Sequence, residues 1–246
     1  MNLCARCSAF LSFLLFCSSC HKQNLGPCTG KCEVVQFSGV AVDPGAQKPL
    51  SGLTVTVYMP RTQSCLYCGS YQVASGKTKG DGTFDLTVSV DTTKVINQSC
   101  TIDVAGPASY ITYAVPAGPG IASDPYSDIS ESVLALDSTG AAPYEEYDFY
   151  QSVLMTVQLH RTSAILPSEP FLGLSFAMGV GASLSSSVWG LNETSTNADT
   201  ALTLYTGAGV FTKINAIQFI TDSTKENQTD SIRCVAGGNN TIVISY

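Results

Sequence analysis

The sequence predicts an all-β protein, with two tandem β-sandwich domains behind an N-terminal signal peptide. Three observations carry that expectation. Apolar residues recur at every second position in many short runs, as in Leu53, Val55 and Val57 with Thr54, Thr56 and Tyr58 between them. Such alternation puts the two sets on opposite faces of a half-buried strand. Gly, Pro, Asn and Asp punctuate the runs at short intervals, the spacing of sandwich strands. Only 13% of the residues are charged, against roughly 25% in an average globular chain. Ser, Thr, Asn and Gln must therefore solvate the surface, a composition common in exported β-proteins.

Residues 1–19 read as the signal peptide. Arg6 is the one charge ahead of the apolar run Phe10 to Phe16, which is far short of the roughly 20 apolar residues that cross a bilayer. The small pair Ser18-Ser19 is followed by Cys20 and the polar stretch His21-Lys22-Gln23-Asn24. This order resembles the lipobox of bacterial lipoproteins, in which the cysteine is lipidated and becomes the mature N-terminus; Cys17 stands where that motif usually has Leu. The resemblance implies that Cys20 carries the lipid, that the membrane is reached through a lipid anchor, and that the protein resides in the cell envelope, at the outer membrane. At ~0.8 kcal/mol per buried CH₂, several acyl chains hold a protein firmly. Cleavage after Ser19 without lipid is the alternative.

Residues 20–33 are polar, with Gly26-Pro27 and Gly30, and read as a tether. The first sandwich is expected over residues 34–148. Pro49-Leu50-Ser51-Gly52 turns the chain into the strand Leu53 to Tyr58, which Met59-Pro60 ends because proline cannot donate to a central ladder. Arg61 to Tyr71 is a loop. Asp81-Gly82, between Thr78 and Phe84, predicts a hairpin over Val73 to Val90, since glycine takes positive φ without steric cost. Cys100 to Val104 and Ser109 to Val115 are further strands. Residues 116–148 are broken by Pro and Gly, and from Asp124 to Asp148 hold seven acids and no Lys or Arg, which reads as a solvated loop.

The first part of this stretch, SGVAVDPGAQKPLSGLTVTVY followed by KTKGDGTFDLTV, resembles the carboxypeptidase-regulatory-like, or Ig-like/transthyretin-like, β-sandwich. The resemblance rests on Gly39 to Val42, Pro49 to Gly52, and Thr78 to Phe84, and covers about 55 residues directly. It implies a non-catalytic accessory domain; the HxxE zinc motif of the associated peptidases is missing from the chain. Its motifs are turn chemistry, which specifies fold better than function.

Residues 149–246 are expected to form a second sandwich. Its strands are Val153 to Leu159, Phe171 to Met178, Leu202 to Thr206, Phe211 to Ile220, Ser231 to Val235 and Thr241 to Tyr246. Ser183 to Thr200, Lys225 to Thr229 and Ala236 to Asn240 are connections, and the last strand should be paired inside a sheet. Thr229-Asp230-Ser231-Ile232 to Cys234, followed by a Gly-Asn turn and an aliphatic end, resembles the C-terminal domain found after such sandwiches in lipoproteins of Gram-negative bacteria.

Beyond Cys20 six cysteines remain, and in an exported chain an even number suggests disulfides. Cys28, Cys32, Cys65 and Cys68 are the disulfide candidates. Cys65-Leu66-Tyr67-Cys68 lacks the helix N-terminus that a redox-active pair needs to lower a thiol pKa, so a structural bridge is favoured. The two pairs have tolerable spacing for a four-thiolate zinc site, although exported thiols tend to oxidise first; the alternative is that both pairs cross-link the tether to the loop. Cys100 and Cys234 are read as buried free thiols or, alternatively, as a bridge between the halves.

Other chemistry is weaker. The acidic stretch has no EF-hand spacing, and Gly76-Lys77-Thr78 lacks the strand-to-helix context and upstream glycine of a phosphate loop. His160, at a strand end, and His21 have no neighbouring nucleophile elbow. Trp189 falls in the predicted polar loop, where capping a sandwich is its commonest role. A net charge of −7 excludes non-specific nucleic-acid binding, which needs a basic footprint. The expectation is a non-enzymatic envelope lipoprotein without catalytic residues, metal or cofactor, acting as a structural or binding module toward a protein or glycan. The alternative is a metal- or thiol-dependent envelope protein using Cys28, Cys32, Cys65 and Cys68.

Overall fold

In the computed structural model the described residues are 23–62, 69–96, 99–117, 128–133, 140–160, 171–179, 189–192, 199–221 and 224–245. Among them every regular element is a strand. The first seven are β1 (Gln23–Asn24), β2 (Cys32–Asp43), β3 (Lys48–Pro49), β4 (Thr54–Pro60), β5 (Ser70–Lys77), β6 (Thr83–Asp91) and β7 (Cys100–Ala105). Then come β8 (Tyr110–Ile111), β9 (Val115–Ala117), β10 (Asp128–Val133), β11 (Glu145–Asp148) and β12 (Tyr150–His160). The remainder are β13 (Phe171–Met178), β14 (Trp189–Asn192), β15 (Asp199–Gly207), β16 (Phe211–Thr221), β17 (Thr224–Arg233) and β18 (Thr241–Ser245).

Four sheets make two sandwiches. In the first, a sheet in the order β1-β5-β4-β7-β10 faces one in which β11, β3 and β6 all pair with β2. Phe37, Val55, Val57, Met59, Phe84 and Ile102 fill the space between them, at the alternate positions that the period-two pattern sends inward. In the second, β18-β12-β15-β9 faces β14-β13-β16-β17, around Met155, Leu159, Leu174, Phe176, Leu204 and Ile214. The all-β sandwich class expected from the sequence is what the chain adopts.

Several local expectations are corrected. The Val73 to Val90 hairpin does not form, because β5 pairs with β4 and β1 while β6 pairs with β2. The intervening turn is an arch that carries the chain from one sheet to the other. Alternation reports which face of a strand is buried, not which sheet it joins. The Ser109 to Val115 region gives β8 and β9, which pair with β12 and β15 of the second sandwich. Part of the acidic stretch read as loop is strand: β10 pairs with β7 and β11 runs parallel to β2. Its acids stand on edges, where charge is compatible with strand formation.

In the second half, Trp189 lies in strand β14, opposite Leu174, rather than in a loop. Lys225 to Thr229 is likewise strand, within β17. The closing strand is paired, in parallel with β12, but at the edge of its sheet.

Candidate functional site

The N-terminal segment is built into the first sandwich. Gln23 and Asn24 add to β5 in parallel, opposite Tyr71 and Gln72, and the Leu25 N–H continues the ladder to the Gln72 carbonyl at 3.0 Å. The Leu25 side chain is buried in the core. Gly26-Pro27 then ends the strand, and Cys28 and Cys32 form a disulfide with Cα atoms 5.9 Å apart. Residues 20–33 are therefore not all tether: from Gln23 onward the chain is part of the fold.

The disulfide loop is held from behind by a clasp formed by Asp91, Thr92, Thr93 and Lys94. The Lys31 carbonyl accepts the Thr92 N–H at 2.9 Å and the Thr92 hydroxyl at 3.2 Å. Asp91, at the end of β6, accepts the Thr93 hydroxyl at 2.6 Å and the Thr93 N–H at 3.1 Å, with the Lys94 ammonium 3.5 Å away. The Thr93 hydroxyl is the main reason that the Asp91 carboxyl titrates below its ordinary range. Between residues 24–26, β5 and β6 lies a cleft of about 270 Å³, bordered by Leu25, Val73, Ala74, Val88 and Ser89. That is below the roughly 300–1,000 Å³ of typical small-molecule sites.

Of the other candidate residues, Cys20, His21, Cys65 and Cys68 lie outside the described residues. The four-thiolate site expected as an alternative loses two of its ligands to the Cys28–Cys32 disulfide, because a bridged sulfur is no longer a thiolate. Cys100 and Cys234 are buried free thiols in separate cores. Burial pushes the Cys100 thiol up to about 11, so it stays protonated and inert at neutral pH. His160 is exposed at the end of β12. Among the described residues no three His, Cys, Asp or Glu side chains gather as a metal set.

The motif residues of the first half converge on one buried hydroxyl. Thr78 Oγ1 donates to the Leu50 carbonyl at 2.7 Å and accepts the Leu53 N–H at 3.0 Å. Its own main chain bonds Leu53 and Gly52. Thr78 thus ties the Pro49 to Gly52 turn to the arch, where Gly82 (φ 78°) sends its carbonyl to the Ala41 N–H at 3.0 Å. The chemistry of this motif is architectural.

Where the two sandwiches meet, Gly45 packs on Ala208 and Gly209. Tyr110 donates its hydroxyl to Asp43, a carboxylate only 2% exposed, which also accepts the Ala46 N–H at 3.0 Å. The Tyr150 hydroxyl donates to Asp148 Oδ2 at 3.2 Å. Burial raises the Asp148 carboxyl above its ordinary range; the Tyr150 bond opposes that and the Glu146 carboxylate adds to it. Sequence reasoning missed this junction, since its partners are scattered over a hundred residues.

No family model and no curated protein matches the chain. Among solved structures it is similar to the shaft pilin SpaA of Lactobacillus rhamnosus GG, at 13% identity and a TM-score of 0.30, over 87% of this chain and 98% of that one. A streptococcal ancillary pilin gives 10% identity and a TM-score of 0.30, over 85% and 62% of the two chains. The major pilin SpaD of Corynebacterium diphtheriae gives 8% and 0.28, over 80% and 64%. Likeness at this level says nothing of what the chain does.

Proposed function

We propose that the protein is a non-enzymatic module of the cell envelope, held to the membrane by a lipid on Cys20 and presenting its sandwiches to a protein or glycan partner. The observation that carries the reading is the build of the N-terminus. Gln23, three residues after Cys20 in sequence, is already paired in the first sandwich, and a disulfide closes the chain just beyond it. Three extended residues reach about 10 Å, so a lipid on Cys20 would seat the first sandwich against the headgroups. A disulfide in so short a loop supports an oxidising, exported environment. The polar groups described above serve turns, clasp and junction, which supports a scaffold rather than a catalyst.

The test is fractionation with metabolic labelling by a palmitate analogue, on the full chain and on Cys20→Ala. The full chain should enter the membrane fraction and carry label, with a mature N-terminus at position 20 by mass spectrometry. Cys20→Ala should lose both label and membrane association. An unlabelled full chain, or a mature product that retains Met1, overturns the proposal.

A further inference from the structure

Every open sandwich has edge strands, and an unguarded edge is a template for another strand. Most edges here are guarded or short. β17 carries four charged residues in ten, β10 two in six and β11 three in four. β5 is covered by β1 over its first residues and ends in Lys77. β14 and β18 are uncharged but only four and five residues long. β6 differs: it is nine residues long, pairs on one side with β2, and among the described residues has no strand on its other side. Its charges are Asp85 and, at its far end, the buried and bonded Asp91.

We infer that this edge is a self-association surface: β6 pairs antiparallel with β6 of a second copy, about a two-fold axis at Thr87. The register follows from the sequence of the strand. Centred on Thr87, all nine residues are paired, Leu86 lies opposite Val88 of the second copy, and Asp85 lies opposite Ser89. Centring two residues earlier would set Asp85 against Asp85, and centring one residue later would set Asp85 against Asp91. Aliphatic pairs and Thr–Thr pairs stabilise an antiparallel ladder, and like charges directly opposite destabilise it.

Burial agrees with that register. Leu86 and Val88 are only partly covered and pack on the core beside the cleft lined by Val73 and Ala74. Asp85, Thr87 and Ser89 face solvent. A strand laid on β6 would cover the first pair and leave the second set wet, as the alternation demands. The contact is isologous, so it closes at two copies and does not propagate. The inference stands on the first sandwich alone and is independent of the Cys20 anchor, although a shared membrane would raise the effective concentration of the two edges.

Thiol cross-linking of the full chain tests it. Directly opposed antiparallel residues have Cα atoms about 4.5–5.5 Å apart, within disulfide reach. Thr87→Cys should give a disulfide-linked dimer on mild oxidation, with the bridge mapped by mass spectrometry to position 87 in both chains; the unsubstituted chain should give no such bridge. Asp85→Cys and Ser89→Cys should cross-link when mixed and not when oxidised singly. Thr87→Lys, at an exposed position, should keep its far-ultraviolet circular dichroism and raise the dimer dissociation constant about tenfold or more by sedimentation. A Thr87→Cys chain that folds yet forms no bridge at position 87 overturns the inference. So does a dimer that Thr87→Lys leaves intact, or a monomeric chain that captures only heterologous strands.

Discussion

The two sandwiches solve the same problem with different residues. Each must carry the chain from one sheet to the facing one, and each uses a single buried polar side chain to hold the crossing. In the first half it is Thr78, in the arch between β5 and β6, with two side-chain bonds to the Leu50 and Leu53 main chain. In the second it is Asn240, in the arch between β17 and β18. Asn240 Oδ1 accepts the Val235 N–H at 2.9 Å, and its Nδ2 donates to the Val235 and Leu154 carbonyls, each at 3.1 Å. Both residues also pair through their own backbone: Thr78 with Gly52 and Leu53, and Asn240 through its carbonyl, which accepts the Thr156 N–H at 2.8 Å. The threonine hydroxyl serves two main-chain groups, and the amide, with separate donor and acceptor, serves three. The difference teaches that a buried hydrogen-bonding group fixes where a strand crosses, which alternation cannot do.

Substitution at the two positions breaks the comparison most directly. Asn240→Ala strands the Val235 N–H and the Leu154 carbonyl, leaves the Val235 carbonyl to the Gly238 N–H, and also removes a buried side chain, so it should destabilise by about 3 kcal/mol; Thr78→Val keeps the shape, strands two groups, and should lose about 2 kcal/mol. Urea unfolding followed by hydrogen exchange separates the halves. The first variant should lose protection around β12 and β18, the second around β4 and β6. Equal loss across both halves in both variants would mean that the sandwiches unfold as one unit and that the arches are not local locks.

The glycines of the arches sharpen the contrast at smaller cost. Gly82 and Gly237 both have positive φ, 78° and 68°. A Cβ at Gly82 would stand 2.5 Å from the Ala41 carbonyl, whereas one at Gly237 would meet nothing within 4 Å. Gly237→Ala should therefore cost about 1 kcal/mol, the left-handed backbone penalty alone. Gly82→Ala adds a main-chain clash and should cost clearly more, read as a larger fall in the urea midpoint. Matching falls would show that the first arch relaxes away from β2.

How much of this was legible depends on whether the information is local. The Thr78 to Phe84 spacing and the Pro49 to Gly52 turn are contiguous, so the first arch could be located from sequence even though its hairpin reading was wrong. Asn240 was read only as the end of a connecting turn, because its partner Leu154 is 86 residues away. β10 and β11 were hidden by their acids: pattern reading equates charge runs with solvated loop, but an edge strand tolerates charge on its open side. The parallel pairing of β18 with β12 also leaves no local trace, since either direction gives the same alternation. Of the candidate cysteines, Cys28 and Cys32 are bridged to each other, a pairing that their spacing leaves open between a zinc site and cross-links from the tether to the loop of Cys65 and Cys68.

The smallest expected effect is at the junction, and there the sign matters more than the size. Asp148 has its carboxyl raised above the ordinary 3.8 by burial, with the Tyr150 bond in opposition. Its favourable contribution to folding is thus fully present below that ordinary value and is lost as pH rises through its higher value in the fold. At neutral pH the native protein holds a carboxylate where a neutral group fits better. Asp148→Asn keeps an acceptor for the Tyr150 hydroxyl and removes the charge, so it should be slightly more stable than the parent at pH 7, with the advantage shrinking toward pH 4. Asp91 behaves oppositely: its carboxyl is lowered, chiefly by the Thr93 hydroxyl. The stability it gives is present above pH 3.8 and lost as pH falls below it, so the acid limb of the urea-midpoint profile should survive Asp148→Asn unchanged. A variant less stable than the parent at pH 7 would mean that the ionised carboxylate is itself the preferred partner of Tyr150. The junction would then be held by a charged bond, as the clasp is at Asp91, and not relieved by loss of charge.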